Sequence, residues 1–241
     1  FYAGSPDTRM TLTSSPFEWL EASLYYTKIE NRPYCERDLD EVCQQSYKDK
    51  GFNFKIRLRE EDRFPAISIG INDLGGTGLY SSEYVVASYG INNLDLHFGL
   101  GWGALNGSEY SFKNPLTILS DRFESRSTLK PEDTGKLDSR SFFSGKKVSP
   151  FFGFSYLLNE KTLLKLEHDT TKASGTDANF YGSPEIGYEK SKYNFSLGID
   201  YKINKNFSIG LSHERGNLTS LKFIFKQDSK SSFKKASYKS A

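Results

Sequence analysis

Residues 94–102 constrain this chain most. Leu94, Leu96, Phe98, Leu100 and Trp102 alternate with Asp95, His97, Gly99 and Gly101. A period of two is that of a β-strand whose two faces meet different environments. One face is wholly apolar and ends in an aromatic; the other is small or polar. Residues 193–203 repeat the code, with Tyr193, Phe195, Leu197, Ile199, Tyr201 and Ile203 set against Asn194, Ser196, Gly198, Asp200 and Lys202. The fold turns on which face meets the protein interior.

The same alternation, broken by turn residues, predicts about eleven strands: 8–14, 17–29, 52–58, 67–72, 79–89, 94–102, 152–158, 164–169, 193–203, 207–212 and 221–225. Residues 1–3 read as the end of a further strand, which makes about twelve, in a chain with a mature or trimmed start. Ser15-Pro16 reads as a tight connection. Short connections follow Ser14, Glu61, Gly90, Leu158 and Ile203, and longer ones follow Glu30, Ala104 and Thr170. That asymmetry belongs to outer-membrane barrels, with tight periplasmic turns and long external loops. The strands carry no visible edge-protecting devices, and closure removes edges.

The sequence therefore predicts an all-β, antiparallel, up-and-down transmembrane β-barrel of about twelve strands over residues 1–227, followed by a Lys/Ser-rich tail or linker over 228–241. Leu94, Leu96, Phe98, Leu100, Trp102, Phe195, Leu197 and Ile199 are expected to face lipid. Lys55, Arg57, Asp95, His97, Lys165, Glu167, Asp200, Lys202 and Glu214 are expected to face the lumen. The alternative is a soluble antiparallel barrel or sandwich with a wet outer face.

Composition is compatible with this reading. The 241 residues carry a net charge of +2, which is no electrostatic footprint for nucleic acid. Aromatics make up 15%, nearly all Phe and Tyr, which favour strands and fill the interfacial girdles of membrane barrels. A mean hydropathy of −0.58 does not exclude a barrel, because lipid-facing and lumen-facing residues cancel along each strand. No apolar run reaches the length of a transmembrane helix. Cys35 and Cys43, in a polar acidic stretch, are expected to form a disulfide in an oxidising compartment, with two free thiols as the alternative. The three histidines, His97, His168 and His213, are scattered and none lies near the cysteines, so no metal site is expected.

Signals for catalysis are thin. Gly75-Gly76-Thr77-Gly78 lacks the Lys-Ser/Thr and the helix of a phosphate cradle and reads as a turn. His97 and Asp95 share a face but read as lumen packing. Ser155, Ser212 and Asp169 are available to a barrel hydrolase, yet nothing in the sequence pairs them. The expectation is a non-enzymatic protein without a cofactor.

The segments SPFEWLEASLYYTKI, KGFNFKIRL, AISIGINDLGGTGLYSSEYVVAS and NNLDLHFGLGWGAL resemble the YjbH family. The resemblance is most specific over residues 17–103 and weaker over 150–225. It implies an outer-membrane protein of a Gram-negative bacterium, linked to exopolysaccharide and group 4 capsule production. Family members are longer, with a second barrel, so the resemblance implies a fragment or a short relative. It implies as partners outer-membrane lipid, polysaccharide, polysaccharide-export components and that second barrel, and it assigns no catalytic residues. A small porin or plugged structural barrel is the alternative function, and a barrel hydrolase the third.

Overall fold

The computed structural model describes residues 2–4, 8–33, 46–78, 80–107, 110–127, 135, 139–168, 170–171, 193–216 and 218–227. Cys35, Cys43, Asp169 and the tail 228–241 lie outside the described residues.

Alternating segments become strands: β1 (Tyr2–Gly4), β2 (Thr8–Phe17), β3 (Leu20–Pro33), β4 (Ser46–Arg59), β5 (Ala66–Leu74), β6 (Ser82–Ile91) and β7 (Leu94–Gly103). After the two-residue β8 (Phe112–Lys113) come β9 (Lys147–Asn159), β10 (Thr162–His168), β11 (Phe195–Lys202), β12 (Phe207–Glu214) and β13 (Leu218–Phe225). All described pairings are antiparallel, and each strand from β2 to β7 and from β9 to β13 pairs with its sequence neighbour. β7 pairs with β9 across the long insertion. β1 lies between β13 and β2. The result is a twelve-stranded antiparallel sheet with β8 as a small appendage on β9.

Residues directly opposite each other on paired strands share a face. Leu24 lies opposite Phe52, Phe98 opposite Phe152, and Ile199 opposite both Leu164 and Leu211. The registers thus gather the apolar residues of every clear strand onto one face. A slip of one residue would move a strand's whole apolar set to the other side.

Burial is inverted relative to a soluble protein. The apolar face is the exposed one: Leu12 is 71% exposed, Phe98 57% and Leu197 60%. The polar face is the more covered one, and its buried residues include Tyr25, Thr27, Asp49, Ser68, Ser196 and Ser220. Two aromatic rings fill part of it. Tyr84 occupies the space a Gly70 side chain would need, and Phe151 does the same over Gly99. The two rings meet edge to face at 6.2 Å.

The structure moves several predicted boundaries, β4 starting at Ser46 and β9 at Lys147, and two of the shifts fall at turns. Ser15 and Pro16 are not a turn; β2 runs through them to Phe17, and the turn falls at Glu18 and Trp19. The ladder shifts register between Ser14 and Phe17, and this irregularity absorbs a proline that has no N–H to donate. The strand predicted from residue 79 starts at Ser82, because Ser81 N–H closes a turn onto the Gly78 carbonyl at 3.3 Å. Among its described residues, the non-alternating stretch after Ala104 contains short 3₁₀ turns at Pro115–Ile118, Asp121–Phe123 and Ser139–Ser141.

Gly70→Val forces the Tyr84 ring from its seat and is expected to cost about 1–3 kcal/mol, the usual range for overpacking. The urea midpoint of the refolded protein measures it, and adding Tyr84→Ala should recover part of the loss.

Candidate functional site

The polar face of β10–β13, for the most part half-buried, surrounds a recess of about 160 Å³. Its lining includes Lys165, Glu167, Ser196, Asp200, Ser212, Glu214 and Lys222. The register explains the grouping. Lys165 and Ser212 both lie opposite Gly198, and Asp200 and Lys222 both lie opposite Gly210. Gly198 leaves room between Lys165 and Ser212, while the Asp200 carboxylate occupies the space over Gly210. Lys165 Nζ and Asp200 Oδ2 form an ion pair at 2.5 Å. Ser212 Oγ donates to Glu214 Oε1 at 2.7 Å, while His213 faces the opposite side of the strand. The recess offers hydroxyl, carboxylate and ammonium groups at close spacing, suited to hydrogen-bonding a polyhydroxylated ligand.

The other polar candidates share this face without joining the recess. Lys55 is opposite Glu21 and Gly70. Arg57 is opposite Ser68 and bonds Glu60 at 3.0 Å near the turn. His97 Nδ1 lies 2.8 Å from Ser88 Oγ and forms its hydrogen bond with that serine on the neighbouring strand. Asp95 is opposite Gly90 and Ser155. Lys202, opposite Ser208, is exposed next to a short turn.

On the apolar face, Leu96, Phe98, Phe195, Leu197 and Ile199 are exposed, and Leu94 and Leu100 are half-buried. Trp102 departs from its expected place. It shares their register but is only 3% exposed, because the Phe143 ring covers it edge to face at 5.2 Å. Beside it lies a residue that sequence reasoning missed. Glu83 is opposite Trp102 on the apolar face and is fully buried. Arg126 grips its carboxylate with Nη1 at 2.7 Å and Nη2 at 3.0 Å, and the Phe143 N–H adds a bond at 2.9 Å. The buried Asn114 ties this insertion together by donating to the carbonyls of Phe123, Phe143 and Gly145. An acid in register with Val85 and Ala87 was the available signal, but its partner sits 43 residues away in a stretch without periodicity.

A second polar cluster lies on the buried face of β3–β5. Tyr25 Oη donates to Asp49 Oδ2 at 3.0 Å, and Thr77 Oγ1 donates to Asp49 Oδ1 at 2.6 Å. The Tyr80 N–H donates to Asp73 Oδ2 at 3.0 Å. Arg9 lies with its guanidinium 4.3 Å from the Tyr25 ring centre. Gly75 and Gly78 take positive φ, so the Gly75–Gly78 run works as a turn that brings Thr77 to Asp49.

These features define an all-β antiparallel protein with an exposed apolar face and a buried, hydrogen-bonded polar one. The chain belongs to the YjbH family, described as "Exopolysaccharide biosynthesis protein YbjH", whose model it matches over residues 2–240. It is 36% identical over 203 residues to "Uncharacterized lipoprotein YjbH" of Escherichia coli (strain K12), a match covering 83% of this chain and 27% of that protein. The chain thus spans about a quarter of that relative's length. Among solved structures it is similar to the NanC porin, with a TM-score of 0.43 and 10% identity, covering 94% of this chain and 97% of that one.

Replacing Arg126 with Ala strands a buried carboxylate on an apolar face. The expected loss is about 3–5 kcal/mol, the usual cost of breaking a buried pair from one side. Glu83→Gln with Arg126→Met should cost clearly less, as read by denaturant unfolding of the two variants.

Proposed function

We propose that the twelve strands close into an outer-membrane β-barrel that assists assembly or export of a surface exopolysaccharide, without catalysing a reaction. The observation that carries this reading is the exposed apolar face. A soluble protein rarely leaves Leu12, Phe98, Phe152, Leu197, Leu211 and Phe223 uncovered together, whereas a bilayer covers them. Closure is supported by β1 lying between β13 and β2, and by β9 pairing with both β7 and β10. In lipid, such pairing satisfies backbone groups that water cannot reach. Phe17, Trp19, Phe64 and Phe225 are exposed at the short-turn end, where an aromatic girdle belongs.

In this reading the short turns face the periplasm and the long connections face outward. The recess around Lys165 and Asp200 holds sugar hydroxyls weakly by hydrogen bonds, while the Tyr84–Phe151 pair narrows the interior. Family membership ties the chain to exopolysaccharide biosynthesis. Export components and the remainder of a longer protein are its proposed partners. A plugged structural barrel is the second reading, favoured by those two interior aromatics.

Leu197→Arg places a charge on the lipid face and should cost about 2–4 kcal/mol near the midplane, so insertion into vesicles fails. Asp200→Ala, on the opposite face, should still insert. The reverse pattern would invert the assignment of the faces. Deleting the gene should lower surface polysaccharide, and an unchanged level would remove the export reading. Single-channel conductance separates an open conduit from a plugged barrel.

A further inference from the structure

We propose that Asp49 and Asp73 form the core of a binding site for a hard divalent cation of the calcium type, on the buried face near the long connections. Both carboxylates are buried, with Asp49 at 0% and Asp73 at 3% exposure. Three of their four oxygens accept hydrogen bonds: Asp49 Oδ1 from Thr77, Asp49 Oδ2 from Tyr25 and Asp73 Oδ2 from the Tyr80 N–H. The fourth, Asp73 Oδ1, is fully buried and has no hydrogen-bond partner. Thr27 Oγ1 is likewise buried without one, and Thr27 is opposite Asp49 in the ladder. Leaving such atoms unsatisfied in a buried site is costly, so both oxygens are available to bind a ligand.

The surrounding atoms are oxygens. Gly51 has no side chain, and the point where its Cβ would sit is 2.6 Å from Asp73 Oδ1 and 2.8 Å from Tyr25 Oη. The corresponding point at Gly76 touches Asp73 Oδ1 and is 2.5 Å from the Lys50 carbonyl oxygen. Asp73 Oδ1 therefore converges with a phenol and a backbone carbonyl, and Asp49 adds its carboxylate through Tyr25. Asp73 holds this position at a φ of 59°, a conformation uncommon for a residue other than glycine. The Arg9 guanidinium, over the Tyr25 ring, acts on Asp49, one of the two carboxylates. Carboxylate, carbonyl and hydroxyl oxygens in irregular geometry suit calcium better than magnesium, which demands a near-ideal octahedron. Among the described residues no three His, Cys, Asp or Glu side chains converge on a metal position, so backbone and hydroxyl oxygens would have to complete the coordination of the two carboxylates.

Protonation of Asp73 is the other way to discharge the site, and the two predict different behaviour. The test uses the full chain refolded in detergent micelles and stripped with EDTA. Tb³⁺ is the first probe, because Tyr25 and Tyr80, whose rings are 6.5 Å apart, can sensitise its luminescence. Excitation of tyrosine should give Tb³⁺ emission that Ca²⁺ displaces and Na⁺ at equal ionic strength does not. Ca²⁺ should also raise the melting temperature, and Asp73→Asn should lose both signals. Absence of Ca²⁺-displaceable emission from the unmodified chain overturns the site, whether or not the variant folds. Emission and a Ca²⁺ shift that persist in Asp73→Asn overturn it as well. A neutral Asp73 predicts no Ca²⁺ shift and an Asp73→Asn variant at least as stable as the parent.

Discussion

Backbone hydrogen bonding at strand edges is the constraint on which the rest of this structure depends. A strand with one apolar and one polar face places its side chains easily, but its N–H and C=O groups need neighbours on both sides. In the proposed membrane setting no water replaces a missing neighbour. β1 shows how the requirement is met: its three residues lie between β13 and β2. β7 and β9 meet the same requirement across more than forty intervening residues, with eight consecutive register pairs from Leu94 opposite Tyr156 to Gly101 opposite Ser149.

Once the apolar face is turned outward, the buried face has to be packed from polar and small residues. The chain does this in three ways. Lys165 and Asp200 neutralise each other across β10 and β11. Tyr84 and Phe151 settle onto glycines where any side chain would collide. Asp49 is held by hydroxyls from Tyr25 and Thr77. The polar face is thus a set of local polar solutions, and each leaves a different chemical character on its stretch of the sheet.

The insertion between β7 and β9 inverts this arrangement locally. There the apolar face carries an acid, Glu83, and the insertion covers it with Arg126, Phe143 and a frame organised by Asn114. The same lid buries Trp102. An interaction that looks misplaced in one strand is completed by a segment with no regular periodicity of its own.

Most of the architecture was legible in the alternation, because a period of two survives in any strand whose faces meet unlike environments. Residues 193–203 and 94–102 declare their faces without any tertiary information, and the lengths of the connections separate the two ends. The Ser15-Pro16 boundary was misread because a ladder irregularity can absorb a proline that local rules assign to a turn. What only the tertiary structure decided is which distant side chains meet: Arg126 with Glu83, Asn114 with three carbonyls, and Thr77 with Asp49. Alternation is a local property, set by each residue's neighbours along the chain. The pairing of charges and hydroxyls depends on register between strands and on how the connections fold back, and a single strand carries no record of either.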